Sequence, residues 1–122
     1  MTLSKKERSK INKSNRAKGY RVEYDSIVAL RKRGYWVRRM PSKQQRNEMS
    51  PVDYFYWDPN TQIFGFGQAK YHKKLLTQVE RDKLSELNKK YRCEIMFSWR
   101  DNGIKFQCLN PIPEIQTSAS LR

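Results

Sequence analysis

The chain predicts an α/β fold, a mixed five-stranded sheet flanked by helices in the order α-β-β-β-α-β-β. Two observations carry that prediction. Runs rich in aromatic and β-branched residues recur at 35–40, 52–57, 62–71, 93–99 and 104–109. Two longer segments, 16–33 and 75–91, instead repeat apolar residues at helical spacing. Strands and helices interleaved in this way form layers, with helices covering the sheet.

Residues 1–15 read as a basic arm. Residues 1–18 hold Lys5, Lys6, Arg8, Lys10, Lys13, Arg16 and Lys18 against the single acid Glu7. The bland reading is a solvated tail, and the functional one is an arm that tracks phosphates. The helix over 16–33 stops before Gly34. Its expected inward stripe is Tyr20, Glu23, Ile27 and Leu30, with Tyr24 also at helical spacing. Glutamate is rarely buried without a partner, so Glu23 is either paired with an arginine at an edge or part of a site.

The strand over 35–40 ends at Met40-Pro41-Ser42, and 43–50 reads as a polar loop. Between residues 31 and 46 there are seven basic residues and no acid. The loop directly precedes the Asp53 strand, which puts Ser42, Lys43 and Arg46 at the lip of any site there as phosphate donors.

The strands over 52–57 and 62–71 are joined by a turn at 58–61. Both are too apolar for the surface, yet Asp53 lies in the first, and Gln68 and Lys70 in the second. A buried carboxylate or ammonium is costly unless paired or bound to a metal. Strand alternation puts Phe64, Phe66, Gln68 and Lys70 on one face. The other carries Ile63, Gly65, Gly67 and Ala69, smooth enough for another backbone to approach: the first helix, the second helix or a partner subunit. Tyr54, Phe55, Tyr56 and Trp57 read as core.

The helix over 75–91 offers Leu76, Val79 or Glu80, Lys83 or Leu84, Leu87 and Tyr91 along one face. Asp101-Asn102-Gly103 turns the last hairpin. Pro111 and Pro113 stop it, leaving 111–122 as a weakly specified tail after a domain over 16–110. No internal repeat is visible.

Length and charge bound the function. At 122 residues the chain is one domain, and its net charge is +14. That excess implies a nucleic-acid or anionic-membrane partner. A basic amphipathic helix on a membrane needs an apolar face that the N-terminal region lacks, so nucleic acid is preferred. With no 20-residue apolar run and no h-region, the expectation is a soluble, intracellular protein. Cys93 and Cys108 read as reduced core residues, and one histidine without CxxC spacing argues against zinc.

Glu23, Asp53 and Gln68 together suit one Mg²⁺, which takes oxygen ligands and keeps several waters. The ion would polarise a phosphodiester and acidify bound water, and Lys70 beside it would position that water or stabilise developing charge.

Glu23, then Pro51-Val52-Asp53, then Gln68-Ala69-Lys70 resembles the PD-(D/E)xK nuclease superfamily. More narrowly the chain is similar to archaeal-type Holliday junction resolvases, including those of archaeal viruses. The opening from Lys18-Gly19 to Glu23, Gly34-Tyr35-Trp36-Val37-Arg38 after the helix, and the strand-turn-strand spacing carry the resemblance, over roughly residues 16–109. It implies a restriction-endonuclease-like core and a catalytic set of Glu23, Asp53, Gln68 and Lys70, with Ser42 as the loop serine. It also implies Mg²⁺, with Mn²⁺ as a substitute, and a homodimer whose two sites cut opposing strands of a four-way DNA junction. The compartment would be the cytoplasm, or the host cytoplasm for a virus-encoded enzyme. Lys13, Arg16, Lys18, Arg38, Arg39, Lys43, Arg46, His72, Lys73 and Lys74 are the expected DNA contacts, with a surface histidine as the other reading of His72. Gln68 departs from the usual Glu or Asp and removes a charge beside the metal, so metal affinity should fall. A related nuclease of repair, restriction or transposition, and a non-catalytic DNA-binding relative, are the competing readings.

Overall fold

The structure is a computed structural model that describes residues 4–114, with residues 6–17 described as helix backbone only. Helix α1 spans Lys5–Lys32, followed by strand β1 (Trp36–Arg39), a one-turn helix α2 (Ser42–Gln45), β2 (Tyr54–Asp58) and β3 (Ile63–Lys70). A 3-10 turn at Lys73–Leu75 leads to α3 (Gln78–Tyr91), then β4 (Glu94–Arg100) and β5 (Ile104–Asn110). The five strands form one sheet in the order β1-β2-β3-β4-β5. Only β3 and β4 pair in parallel, and α3 makes the crossover that this connection requires. The expected mixed sheet is therefore present.

Helix α1 packs on one face of the sheet and α3 on the other. Val22, Ile27 and Leu30 of α1 meet Val37, Tyr54, Tyr56, Ala69 and Met96. Leu84 and Leu87 of α3 meet Phe66, Ile95 and Phe97, with Met40 and Val52 extending that layer. Each fully buried side chain of this size contributes about 2 kcal/mol.

Several expectations are corrected by this packing. Helix α1 begins at Lys5 instead of near residue 16, so residues 5–15 continue the helix. Tyr20 and Tyr24 are 59% and 64% exposed, because the buried stripe turns through Val22, Glu23, Ser26, Ile27 and Leu30. The loop expected at 43–50 contains α2. Helix α3 starts at Gln78, where Thr77 and Glu80 form a reciprocal capping box, and Val79 faces solvent. It ends at Arg92 in the left-handed region, with φ of 50°.

The smooth face of β3 is approached by side-chain rings and not by a helix backbone. A Cβ on Gly65 would fall 2.2 Å from the Tyr56 ring, and one on Gly67 would fall 2.0 Å from the Tyr54 ring. The glycines make room for cross-strand aromatic rings of β2, which pair with them in register. Tyr54 and Tyr56 are fully buried as expected, while Phe55 is half-buried and Trp57 exposed. Cys93 is buried and Cys108 exposed, both free. Cys108 lies on the edge strand β5, outside the cover that α1 gives the central strands.

Candidate active site

A cleft of about 420 Å³ opens at the end of the sheet, and Glu23, Gln45, Asp53, Gln68 and Lys70 line it. Tyr20 and Tyr71 also line it. Of the residues singled out from sequence, Glu23, Asp53, Gln68 and Lys70 are thus brought together.

Each is held by a different element. Glu23 is 6% exposed on the buried stripe of α1. One turn on, Ser26 Oγ donates to Val22 O and is hydrogen-bonded to Ser98 Oγ on β4, 2.8 Å away, and Ser98 also bonds Tyr54 Oη. This buried hydroxyl chain ties α1 to β2 and β4 and fixes the depth of Glu23. Asp53 comes just before β2, not inside it. Its backbone N–H donates to Gly67 O at 2.8 Å and its carbonyl accepts from Met40 N at 2.9 Å, so the chain is anchored on both sides. Gln68 is 3% exposed on β3, and Lys70 ends that strand on the same face.

The Asp53 carboxylate is gripped from two sides. Gln45 Nε2 donates to Oδ1 at 2.6 Å, and the Ala69 backbone N–H donates to Oδ2 at 2.8 Å. Burial nevertheless pushes its pKa up to about 7, with the Glu23 charge adding to the rise. The Ala69, Gln45 and Lys70 groups work the other way without overcoming it. Burial also raises Glu23, against the pull of Arg39, whose Nε bonds Glu23 Oε1 at 2.5 Å. Lys70 Nζ lies 2.8 Å from Glu80 Oε2. Burial alone would raise Glu80, but the Lys70 and Thr77 hydrogen bonds bring its carboxyl below the usual value.

The donor set suits a hard divalent cation. Two carboxylates and an amide oxygen are the ligands Mg²⁺ or Mn²⁺ takes, and an ion would offset the burial and the Glu23 repulsion that raise the Asp53 pKa. Among the described residues no three His, Cys, Asp or Glu side chains form a metal cluster, so waters or substrate must complete such a shell. Satisfying its neighbours requires the Gln68 amide nitrogen to face Pro51 O and Asp53 Oδ2, the latter at 3.0 Å. Ligation would need the amide turned over, with its oxygen toward the ion.

Ser42 is the sequence candidate that the cleft does not include. It opens α2 and is exposed, and the residue of α2 that reaches Asp53 is Gln45, three positions on. Gln45 and Glu80 were not singled out as site residues. A one-turn helix gives too little periodicity to reveal Gln45, whereas the Thr77-x-x-Glu80 box was a readable signal for Glu80. Arg39, expected on DNA, is engaged by Glu23 and lies over the Tyr20 ring, 5.2 Å from its centroid.

The other basic candidates are spread over the surface. Lys18, Arg38, Lys43, Arg46, His72, Lys73 and Lys74 are exposed. His72 Nδ1 accepts from Lys74 N at 3.1 Å and caps the 3-10 turn. Lys13 and Arg16 lie on α1, with side chains outside the described residues. No helix among the described residues is long and apolar enough to cross a membrane.

No family model matches the chain, and no curated protein matches it. Among solved structures it is similar to the Holliday junction resolvase Hjc of the archaeal hyperthermophile Archaeoglobus fulgidus. The match has a TM-score of 0.59 at 21% identity and covers 75% of this chain and 73% of that one. The chain therefore has the restriction-endonuclease-like fold of that resolvase.

Proposed function

We propose that this protein is a metal-dependent, structure-selective endodeoxyribonuclease that resolves four-way DNA junctions and acts as a homodimer in the cytoplasm. The observation that carries the reading is the convergence of Glu23, Asp53, Gln68 and Lys70 on one cleft in a chain of net charge +14. The fold shared with a junction resolvase supports it.

In this reading Glu23, Asp53 and Gln68 hold a Mg²⁺ or Mn²⁺ ion, which when bound supplies an activated water and polarises the scissile phosphate. The Ala69 N–H and the Gln45 amide aim the Asp53 carboxylate into the cleft. Glu80 holds the Lys70 ammonium at the cleft, where it can orient water or stabilise charge developing on the phosphate. Gln68 leaves the site one negative charge short of two acids and a third, which weakens its hold on the ion. Basic residues of α1, α2 and the 3-10 turn, from Lys13 to Lys74, contact phosphates and fix the register of the DNA without reading its sequence. Ser42 at the start of α2 contacts the backbone at the lip.

End-labelled four-way junction and linear duplex, each incubated with the protein in Mg²⁺ or EDTA, test the reading. Paired symmetric cuts in the junction alone, lost in EDTA and with Asp53→Asn, are expected. Equal cutting of linear duplex would make it a general nuclease, and binding without cleavage in any metal would make it a DNA-binding module.

A further inference from the structure

Two cavities adjoin the cleft beyond Tyr71, and together they have the chemistry of a nucleobase site. One, of about 360 Å³, is lined by Lys18, Arg21, Tyr71 and Arg100. The next, of about 340 Å³, is lined by Lys73, Lys74, Trp99 and Arg100. Tyr71 lines both the candidate cleft and the first cavity, and Arg100 lines both cavities, so the three lie side by side as a trough around the end of β3 and β4. Each side cavity lies in the size range of small-ligand sites.

Each ring in the trough carries a cation. Lys18 Nζ is 5.7 Å from the Tyr71 centroid, and Lys73 Nζ is 5.1 Å from that of Trp99. The indole is backed by Phe97, with centroids 5.2 Å apart and planes at 25°, which holds it rigid. Trp99 pairs in register with Lys70 on the neighbouring strand, so the ring is one strand spacing from the candidate catalytic lysine. The acids at this place are Asp25, which pairs with Arg100, and Asp101, and the cations outnumber them.

We propose that this trough binds an unpaired nucleotide of the DNA strand entering the cleft, with its base on Trp99 or Tyr71. A base is flat, has a π-face and is joined to phosphates on both sides. It would take the ring face that an ammonium now covers, and the displaced Lys73 or Lys18 would move to the adjoining phosphate. A basic surface made only for duplex phosphates has no need of a rigidly backed indole. Stacking of this kind tolerates any base, so the site selects unpaired structure and not sequence.

The inference rests on the reading of the protein as DNA-binding, but not on cleavage. The test is fluorescence anisotropy in EDTA with labelled oligo(dT) and with a blunt duplex of equal length. Trp99→Ala should lose about tenfold in affinity for oligo(dT) and little for duplex, and Trp99→Phe should retain both. Should Trp99→Ala misfold, Tyr71→Leu at an exposed ring should shift the preference the same way. Equal losses on both DNAs, or none on oligo(dT), would overturn the base site. Wild-type protein that binds duplex or a labelled four-way junction but not oligo(dT) would overturn this inference alone, whereas binding to none of the three would overturn the DNA reading itself.

Discussion

Asp53 concentrates the chemistry of the cleft into one side chain. Its carboxylate accepts N–H bonds from Gln45 and Ala69 yet ionises only at about pH 7, because burial and Glu23 oppose the charge. In an unfolded chain the same group ionises near 3.8. The folded pKa is the higher, so Asp53 costs the protein nothing below pH 3.8. The cost grows as pH rises through that window and is complete above about 7, on the order of 4 kcal/mol. Asparagine removes the ionisation but turns an amide N–H toward one of the two donors, returning about 1 kcal/mol. Asp53→Asn should therefore be more stable than wild type by roughly 2 to 3 kcal/mol at pH 8 in EDTA, with the difference shrinking toward pH 4. Urea denaturation across pH measures it, and a pH-independent difference would mean that Asp53 is ionised throughout. At this scale the sequence marked polar groups set in apolar runs and passed over those in polar segments. Glu23, Asp53, Gln68 and Lys70 stood out as polar groups in apolar surroundings, while Gln45 sat in a polar segment with nothing to mark it.

The pairing of β2 with β3 is the element on which the cleft is built. Asp53 enters β2 with its N–H on Gly67, and Tyr54 directly follows with its ring over that glycine. The ring has no room to yield, since it is fully buried and its hydroxyl is bonded to Ser98. Gly67→Ala should cost about 2 to 3 kcal/mol or more, read as a lower urea midpoint with an unchanged slope. A variant as stable as wild type would show that the ring can retreat. The two glycines were legible in sequence as a close approach, but the partner was not, because the ring comes from the adjacent strand and alternation does not reveal register. The same limit explains Tyr20 and Tyr24. Helical spacing admits more than one stripe, and the fold chose the one through Val22 and Ser26, whose hydroxyl bonds into the sheet. Cys108 reads as core from its strand pattern, yet β5 is an edge.

Across the whole molecule, the site exists only because the fold assembles it. Residues 23, 53 and 68 come from a helix, a strand entry and a central strand, and the sheet order brings them to one end. The alternation of strands and helices made that architecture readable, including the mixed sheet that a helix between the third and fourth strands produces. What remained hidden was which stripe of α1 seats against the sheet, because the Ser26–Ser98–Tyr54 hydroxyls that help to fix it come from distant parts of the chain. In the proposed function this assembly holds a divalent ion between Glu23, Asp53 and Gln68. Anomalous diffraction from a Mn²⁺-soaked crystal tests it most directly. A peak is expected in the cleft about 2 Å from carboxylate oxygens of Asp53 and Glu23, with the Gln68 amide oxygen turned toward it. An empty cleft at saturating Mn²⁺, or a peak held by other residues, would contradict it.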